Sequence, residues 1–255
     1  MMAESAKNRR VLLTGGGRGV GAATVRALAA AGFDVTFTYR SASAEADALL
    51  AELGAAHPGQ TFEARALDLA DKAAVEAFAA AAADDSYFGF VHNAGMPYDT
   101  LALMMDQDKA EVLMQVNYWS FTRLCKALGR GMVRARAGRI IAIGSIAALR
   151  GSQGNAPYGA SKAALIGYAQ TLAAESAKRG ITVNVIAPGF VDTEMLAPYA
   201  AFREKMEAQI PLGRFVKPEE VAGLAAFLLS PPAAAITGQT LVVDGGLSNT
   251  LTLQR

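Results

Sequence analysis

Arg10-Val11-Leu12-Leu13-Thr14, followed at once by Gly15-Gly16-Gly17-Arg18-Gly19-Val20-Gly21, is the stretch that decides the fold. Its apolar centre reads as a short buried strand, and the Ala-rich run beyond Gly21, to about Ala31, reads as a helix. Strand, glycine turn and helix in that order bring main-chain N–H groups to a helix N-terminus, where they can hold a pyrophosphate. The spacing is Gly-x-x-x-Gly-x-Gly, not Gly-x-Gly-x-x-Gly, and no Lys-Ser/Thr pair closes it as in a P-loop. A triphosphatase is therefore disfavoured. A glycine-rich turn without a ligand has the same local pattern, so the neighbouring segments have to decide.

Outward from this unit, strand and helix patterns alternate to the end of the chain. Strands are expected at 34–39, 60–67, 88–92, 138–145, 181–187 and 239–243, and helices at 44–56, 71–83, 157–178 and 218–229. Residues 106–136 read as a long helical region broken near Gly129-Arg130-Gly131. Residues 190–211 are irregular, with a helix near 200–208, and 190–215 form a candidate substrate lid after a strand's carboxyl end. Residues 1–8 read as a loose polar start, and 247–255 carry no clear element. With no linker and no solenoid repeat, this is one α/β domain over 1–255. It is doubly wound and Rossmann-type, with a mostly parallel seven-stranded sheet and helices on both faces.

Composition narrows the function. The 255 residues are 52% hydrophobic and 18% charged with a net charge of +1, so the chain buries a large core and offers little field to nucleic acid or an anionic membrane. Cys125 stands alone, and His57 and His92 are the two histidines. An internal disulfide is excluded, a His-rich metal centre is impossible within one chain, and no metal site is expected. No apolar run precedes Arg9-Arg10 and none is long enough to span a bilayer, so a cytoplasmic protein is expected.

Ligands in such folds sit outside the carboxyl ends of the strands. The glycine turn, Asn93, Ser145 and Pro188-Gly189 all fall at such ends, and Tyr158 and Lys162 begin the helix after one. Four residues apart, these two share a helix face, where an ammonium near the phenol would lower its pKa from about 10. The second strand ends in Tyr39-Arg40-Ser41, with Arg18 available in the turn. Two guanidinium groups and a hydroxyl suit a 2′-phosphate, favouring NADP(H) over NAD(H), although two solvent-facing arginines have the same pattern. Asn117 is unfavourable in a helix interior. It either makes a specific hydrogen bond or, by default, faces solvent. His92 reads as a loop histidine with ordinary hydrogen bonds rather than a ligand or catalyst.

On these residues the chain resembles the short-chain dehydrogenase/reductase family and is most similar to its 3-oxoacyl-[acyl-carrier-protein] reductases. The resemblance is carried by Thr14-Gly15-x-x-x-Gly19-x-Gly21, Asp68-Leu69, Asn93-Ala94-Gly95, Asn117, Ser145, Tyr158-x-x-x-Lys162 and Pro188-Gly189 followed by Thr193, with the stretches 151–162 and 179–190. It implies a catalytic tetrad of Ser145, Tyr158, Lys162 and Asn117. It implies NADPH/NADP+ held by Gly15, Gly17, Arg18, Gly19, Val20, Gly21, Tyr39, Arg40, Ser41, Asp68, Leu69, Asn93, Ala94, Gly95, Tyr158, Lys162, Pro188, Gly189, Val191 and Thr193. It further implies a 3-oxoacyl thioester substrate, docking of acyl carrier protein at Arg136 and Arg179 near the mouth of the site, and a homotetramer. His92 stands where members usually carry asparagine, with little effect on hydride transfer expected. The other readings are a reductase of a free ketone, sugar or polyol, a polyketide- or polyene-type reductase, and a non-catalytic cofactor-binding subunit.

Overall fold

The structure, a computed structural model, describes residues 9–83 and 85–249. The loose start at 1–8 and the last part of the 247–255 tail, 250–255, lie outside the described residues. In chain order the elements are β1 (Arg10–Thr14), α1 (Gly19–Ala30), β2 (Asp34–Tyr39), α2 (Ser43–Ala56), β3 (Phe62–Ala66), α3 (Lys72–Ala82) and β4 (Tyr87–His92). Then come α4 (Gln107–Met114), α5 (Ser120–Ala135), β5 (Gly138–Ile143), α6 (Ala156–Ser176), β6 (Ile181–Pro188), α7 (Arg203–Glu207), α8 (Pro218–Leu229) and β7 (Thr240–Val243).

The seven strands form one sheet in the order β3-β2-β1-β4-β5-β6-β7, every pair parallel. The order reverses at β1 and β4, and that switch point opens the crevice where this architecture binds ligands. Side chains alternate across a strand. Thus Val11 and Leu13 join the core beneath α1, α2 and α8, with Val25, Leu28 and Leu228. Leu12 faces the opposite core beneath α3, α5 and α6, with Phe90, Phe121 and Leu165. A sheet covered on both faces needs nearly continuous apolar strands, which is why β1, β5 and β6 read as unbroken runs. Among the described residues no helix is long and apolar enough to cross a membrane.

The long helical region departs from expectation. Gly129 and Gly131 lie inside α5, uninterrupted. The break comes earlier, at Gln115–Trp119, where a π-turn separates α4 from α5. Two side chains engage at this turn: Asn117 reaches partners outside the helix, and Ser120 Oγ donates to Val116 O at 2.6 Å. Two other boundaries shift. Strand β5 stops at Ile143, and Ser145 begins a 3-10 turn, Ile146–Ala148, with its Oγ accepting from the Ala147 N–H at 3.1 Å. In the candidate lid a 3-10 helix, Glu194–Phe202, precedes the short α7.

Leu228 is fully buried between α8 and the sheet, whereas Leu103 is fully exposed. Leu228→Ala is expected to cost about 2–5 kcal/mol of folding stability, and Leu103→Ala no more than about 0.5 kcal/mol, as read from urea midpoints.

Candidate active site

The glycine turn is held from both sides. Gly15 and Gly19 have φ of +72° and +53°, the left-handed region that glycine tolerates. A Cβ on Gly21 would lie 1.9 Å from the Gly15 carbonyl oxygen, so this position admits no side chain. From the end of β4, Asn93 Nδ2 donates to the carbonyls of Thr14 (3.2 Å) and Gly15 (2.8 Å), clamping the turn against the neighbouring strand. No side chain caps the N-terminus of α1, and its first turn carries no acid, so its positive end is open to an anion.

Among the other expected cofactor residues, Thr193 and Tyr39 lie against this turn. Thr193 lies over it, its Cγ2 3.3 Å from where a Gly19 Cβ would stand. Tyr39 is half-buried beside the turn, with Arg40 and Ser41 exposed beyond it. Asp68 is exposed and accepts from the Ala70 N–H at 2.9 Å, while Leu69 is buried. Val191, half-buried, pairs with Val216. Gly189 serves a different end. Its missing Cβ would lie 2.8 Å from Asp244 Cβ, so its smallness admits the chain after β7. Gly95, half-buried beside Ala94, leaves its backbone bare next to Lys162 and Asn117; a Cβ there would meet Lys162 Nζ at 3.1 Å and Asn117 Oδ1 at 3.3 Å. An uncapped helix start, a glycine cradle and a line of exposed donors fit a dinucleotide.

Asn117 is buried, not solvent-facing. Its Oδ1 accepts from the Met96 N–H (2.9 Å), and its Nδ2 donates to Met96 O (3.1 Å) and Ser161 Oγ (3.0 Å). Ser161 in turn donates to Tyr158 O at 2.7 Å. A seryl hydroxyl between a tyrosine and a lysine on one helix was the signal available for it in the sequence. His92 is likewise not in a loop: it ends β4 and is fully buried.

Lys162 Nζ donates to Ile143 O at 2.8 Å and sits 5.8 Å from the centre of the Tyr158 ring. Burial brings its pKa down to about 8. The expected lowering of the Tyr158 pKa is reversed. Burial raises it, a hydrogen bond with Ser145 opposes the rise, and the Asp99 carboxylate adds to it. The ammonium is turned to the strand carbonyl and the ring face, with no hydrogen bond to the hydroxyl, so it does little for the phenolate. Ser145 and Tyr158 therefore converge as two protonated hydroxyls, with a cation behind them.

Three contacts escaped the sequence reading. Arg18 pairs with Glu194 of the candidate lid at 3.2 Å, both well exposed. The Tyr199 hydroxyl donates to Asp99, tying the candidate lid to the loop after β4. Thr14 Oγ1 accepts from the main-chain N–H groups of Asn93 and Ala94. Nothing in local spacing foretells them, because the partners are up to 176 residues apart. Conversely, Arg136 and Arg179 do not flank this site. They precede β5 and β6 at the amino edge of the sheet, and Arg136 follows α5, whose 16 residues span about 24 Å from the Asn117 end. Arg136 there donates to Lys178 O at 3.1 Å.

Residues 15–248 match the family model described as "Enoyl-(Acyl carrier protein) reductase". The chain is 41% identical over 241 residues to the 3-oxoacyl-[acyl-carrier-protein] reductase FabG of Vibrio cholerae, covering 92% of this chain and 96% of that protein. It superposes with a TM-score of 0.87 and 34% identity on a short-chain dehydrogenase/reductase from Serratia marcescens, over 95% of this chain and 99% of the other. An actinorhodin polyketide ketoreductase variant solved with NADPH gives 0.88 at 31% identity, over 96% and 99%.

Lys162 sets a pH signature. Its folded pKa, about 8, lies below the ordinary 10.5, so between these values the unfolded chain binds more protons at this residue and stability rises with pH. The stability difference between the native protein and Lys162→Met is expected to grow in favour of the native protein across that window. Urea denaturation at a series of pH values measures it, and a flat difference contradicts the assignment.

Proposed function

The chain belongs to the short-chain dehydrogenase/reductase family, an NAD(P)-binding oxidoreductase family acting on ketones, and we propose that it reduces a 3-oxoacyl thioester on acyl carrier protein with NADPH. The observation that carries this reading is the Tyr158 ring 5.8 Å from the buried Lys162 ammonium, with Ser145 beside them just after the carboxyl end of β5. NADPH, when bound, supplies the hydride to the carbonyl carbon. Ser145 donates a hydrogen bond to the carbonyl oxygen, where negative charge develops. Tyr158 gives that oxygen its proton, and a phenol held above its ordinary pKa keeps the proton ready at neutral pH. Lys162 is placed to hold the ribose hydroxyls and to return a proton to Tyr158. The Asn117 side chain is spent on Met96 and Ser161, so its main-chain carbonyl is the group left to hold a water on the route to Lys162.

NADPH is favoured by Arg18, Arg40 and Ser41, with no carboxylate ending β2. Glu194 competes with a 2′-phosphate for Arg18. The exposed apolar side chains of Leu101, Leu103, Met104, Met195 and Phe202, on the lid and on the loop after β4, suit an acyl chain better than a sugar. Since Arg136 and Arg179 lie at the far edge of the sheet, a carrier protein docked on them would serve the site of a second copy. The exposed Val112, Trp119 and Val133 of the α4–α5 face and Phe227 of α8 support the homotetramer that this arrangement needs. Likeness to the polyketide ketoreductase favours a second reading, a carrier-bound β-ketone of polyketide type.

Assays of NADPH oxidation against acetoacetyl thioesters on carrier protein and on CoA, free ketones and sugars test the substrate class; turnover of sugars alone would refute it. Tyr158→Phe is expected to lower kcat by about 10²- to 10⁴-fold while NADPH still binds. Glu194→Gln is expected to tighten NADPH, and not NADH, by about two- to fivefold, the size of an exposed ion pair. Charge reversal at Arg136 and Arg179 together should raise KM for the carrier-bound ketone and leave that for a small free ketone unchanged.

A further inference from the structure

His92 is the position at which the chain departs from the pattern it resembles, and its hydrogen bonds give it a defined role. Its Nδ1 lies 3.1 Å from Thr14 Oγ1, and its Nε2 lies 3.2 Å from the Asn117 carbonyl oxygen. A hydroxyl has one proton and two acceptor sites. Thr14 Oγ1 already accepts from the N–H groups of Asn93 and Ala94, each at 3.2 Å. Its proton is left for His92 Nδ1, which must therefore be bare, and the imidazole proton sits on Nε2, donating to Asn117 O. Full burial and the Lys162 charge keep the ring neutral, holding its pKa down to about 3. Lys162 is the charged group whose field reaches the ring. Phe90 and Phe121, which pack against it, carry no titratable atom.

We propose that His92 is a positioning residue: through a tautomer set by Thr14, its Nε2–H holds the main-chain carbonyl of Asn117 in the π-turn and so fixes the proton path behind Lys162 and Tyr158. This rests on the reading of Tyr158 and Lys162 as the reacting pair. The carbonyl needs such a tether because it lies in the widened turn Gln115–Trp119, where regular α-helical hydrogen bonding is interrupted. One hydroxyl, Thr14, thus ties the glycine turn both to the wall after β4 and, through His92, to the bend that carries Asn117. His92 makes no proton transfer of its own.

Two measurements test this. Long-range 1H–15N correlation on the whole protein is expected to find His92 protonated on Nε2, bare on Nδ1 and not titrating around neutrality. A protonated Nδ1 or a titrating ring would overturn the proposal, whatever the substrate proves to be. Kinetics then separate positioning from packing. His92→Gln keeps a terminal N–H donor and is expected to stay within about threefold of the native kcat. His92→Leu and His92→Phe lack a donor at that reach and are expected to lose about 10- to 100-fold, the usual cost of removing a group that supports a reacting one. In these two the solvent deuterium isotope effect on kcat should rise, with NADPH affinity and KM for the ketone little changed. Equal losses in all three variants, losses that follow thermal stability, or an unchanged isotope effect would overturn it. Inactivity of the native protein on every ketone would refute the proposed function, and the tautomer would still be readable.

Discussion

One buried amide holds the reacting end of the molecule together. The Asn117 side chain makes hydrogen bonds to both main-chain atoms of Met96 and to Ser161. It thereby links the loop after β4, the helical bend between α4 and α5, and the helix that carries Tyr158 and Lys162. An amide taken out of water must find partners or cost several kcal/mol. Here the partners belong to two elements other than its own, so the amide is satisfied only when all three are in place. The helix widens at Gln115–Trp119, where this amide sits, while the glycines further along stay regular.

Burial also decides the electrostatics. Taking charge out of water disfavours the ionised form of each group: the phenol of Tyr158 goes up, while the ammonium of Lys162 and the imidazole of His92 go down. Ser145 pulls Tyr158 back through its hydrogen bond, and Asp99 pushes it further. The outcome is a phenol that keeps its proton at neutral pH, beside a lysine whose pKa is brought down to about 8. The simple argument from helical spacing placed these two residues correctly but gave the phenol the wrong direction. Proximity on a helix face does not say where a flexible ammonium ends, and this one ends on Ile143 O.

Much was legible from local pattern. The glycine turn, the order of strands and helices, and the clustering of Asn93, Ser145, Tyr158 and Lys162 beyond strand ends all follow from composition, periodicity and the rule that ligands sit at the carboxyl edge of a doubly wound sheet. Arg136 and Arg179 were legible too: standing just before strands of a parallel sheet, they lie at its amino edge, away from the ligand edge, and only the resemblance puts them near the mouth. The Arg18–Glu194 pair and the Tyr199–Asp99 contact join residues far apart in the chain, beyond the reach of spacing arguments.

By itself the sequence determined the parallel sheet, since strands alternating with helices and apolar throughout must be covered on both faces, and it determined which residue types gather at the binding edge. Only the tertiary structure decided the tautomer of His92, the place of the helical bend and the direction of the Tyr158 shift. The reason is physical: each of these depends on which distant hydrogen-bond partner and how much water a group meets, and those are properties of packing rather than of neighbours in the chain.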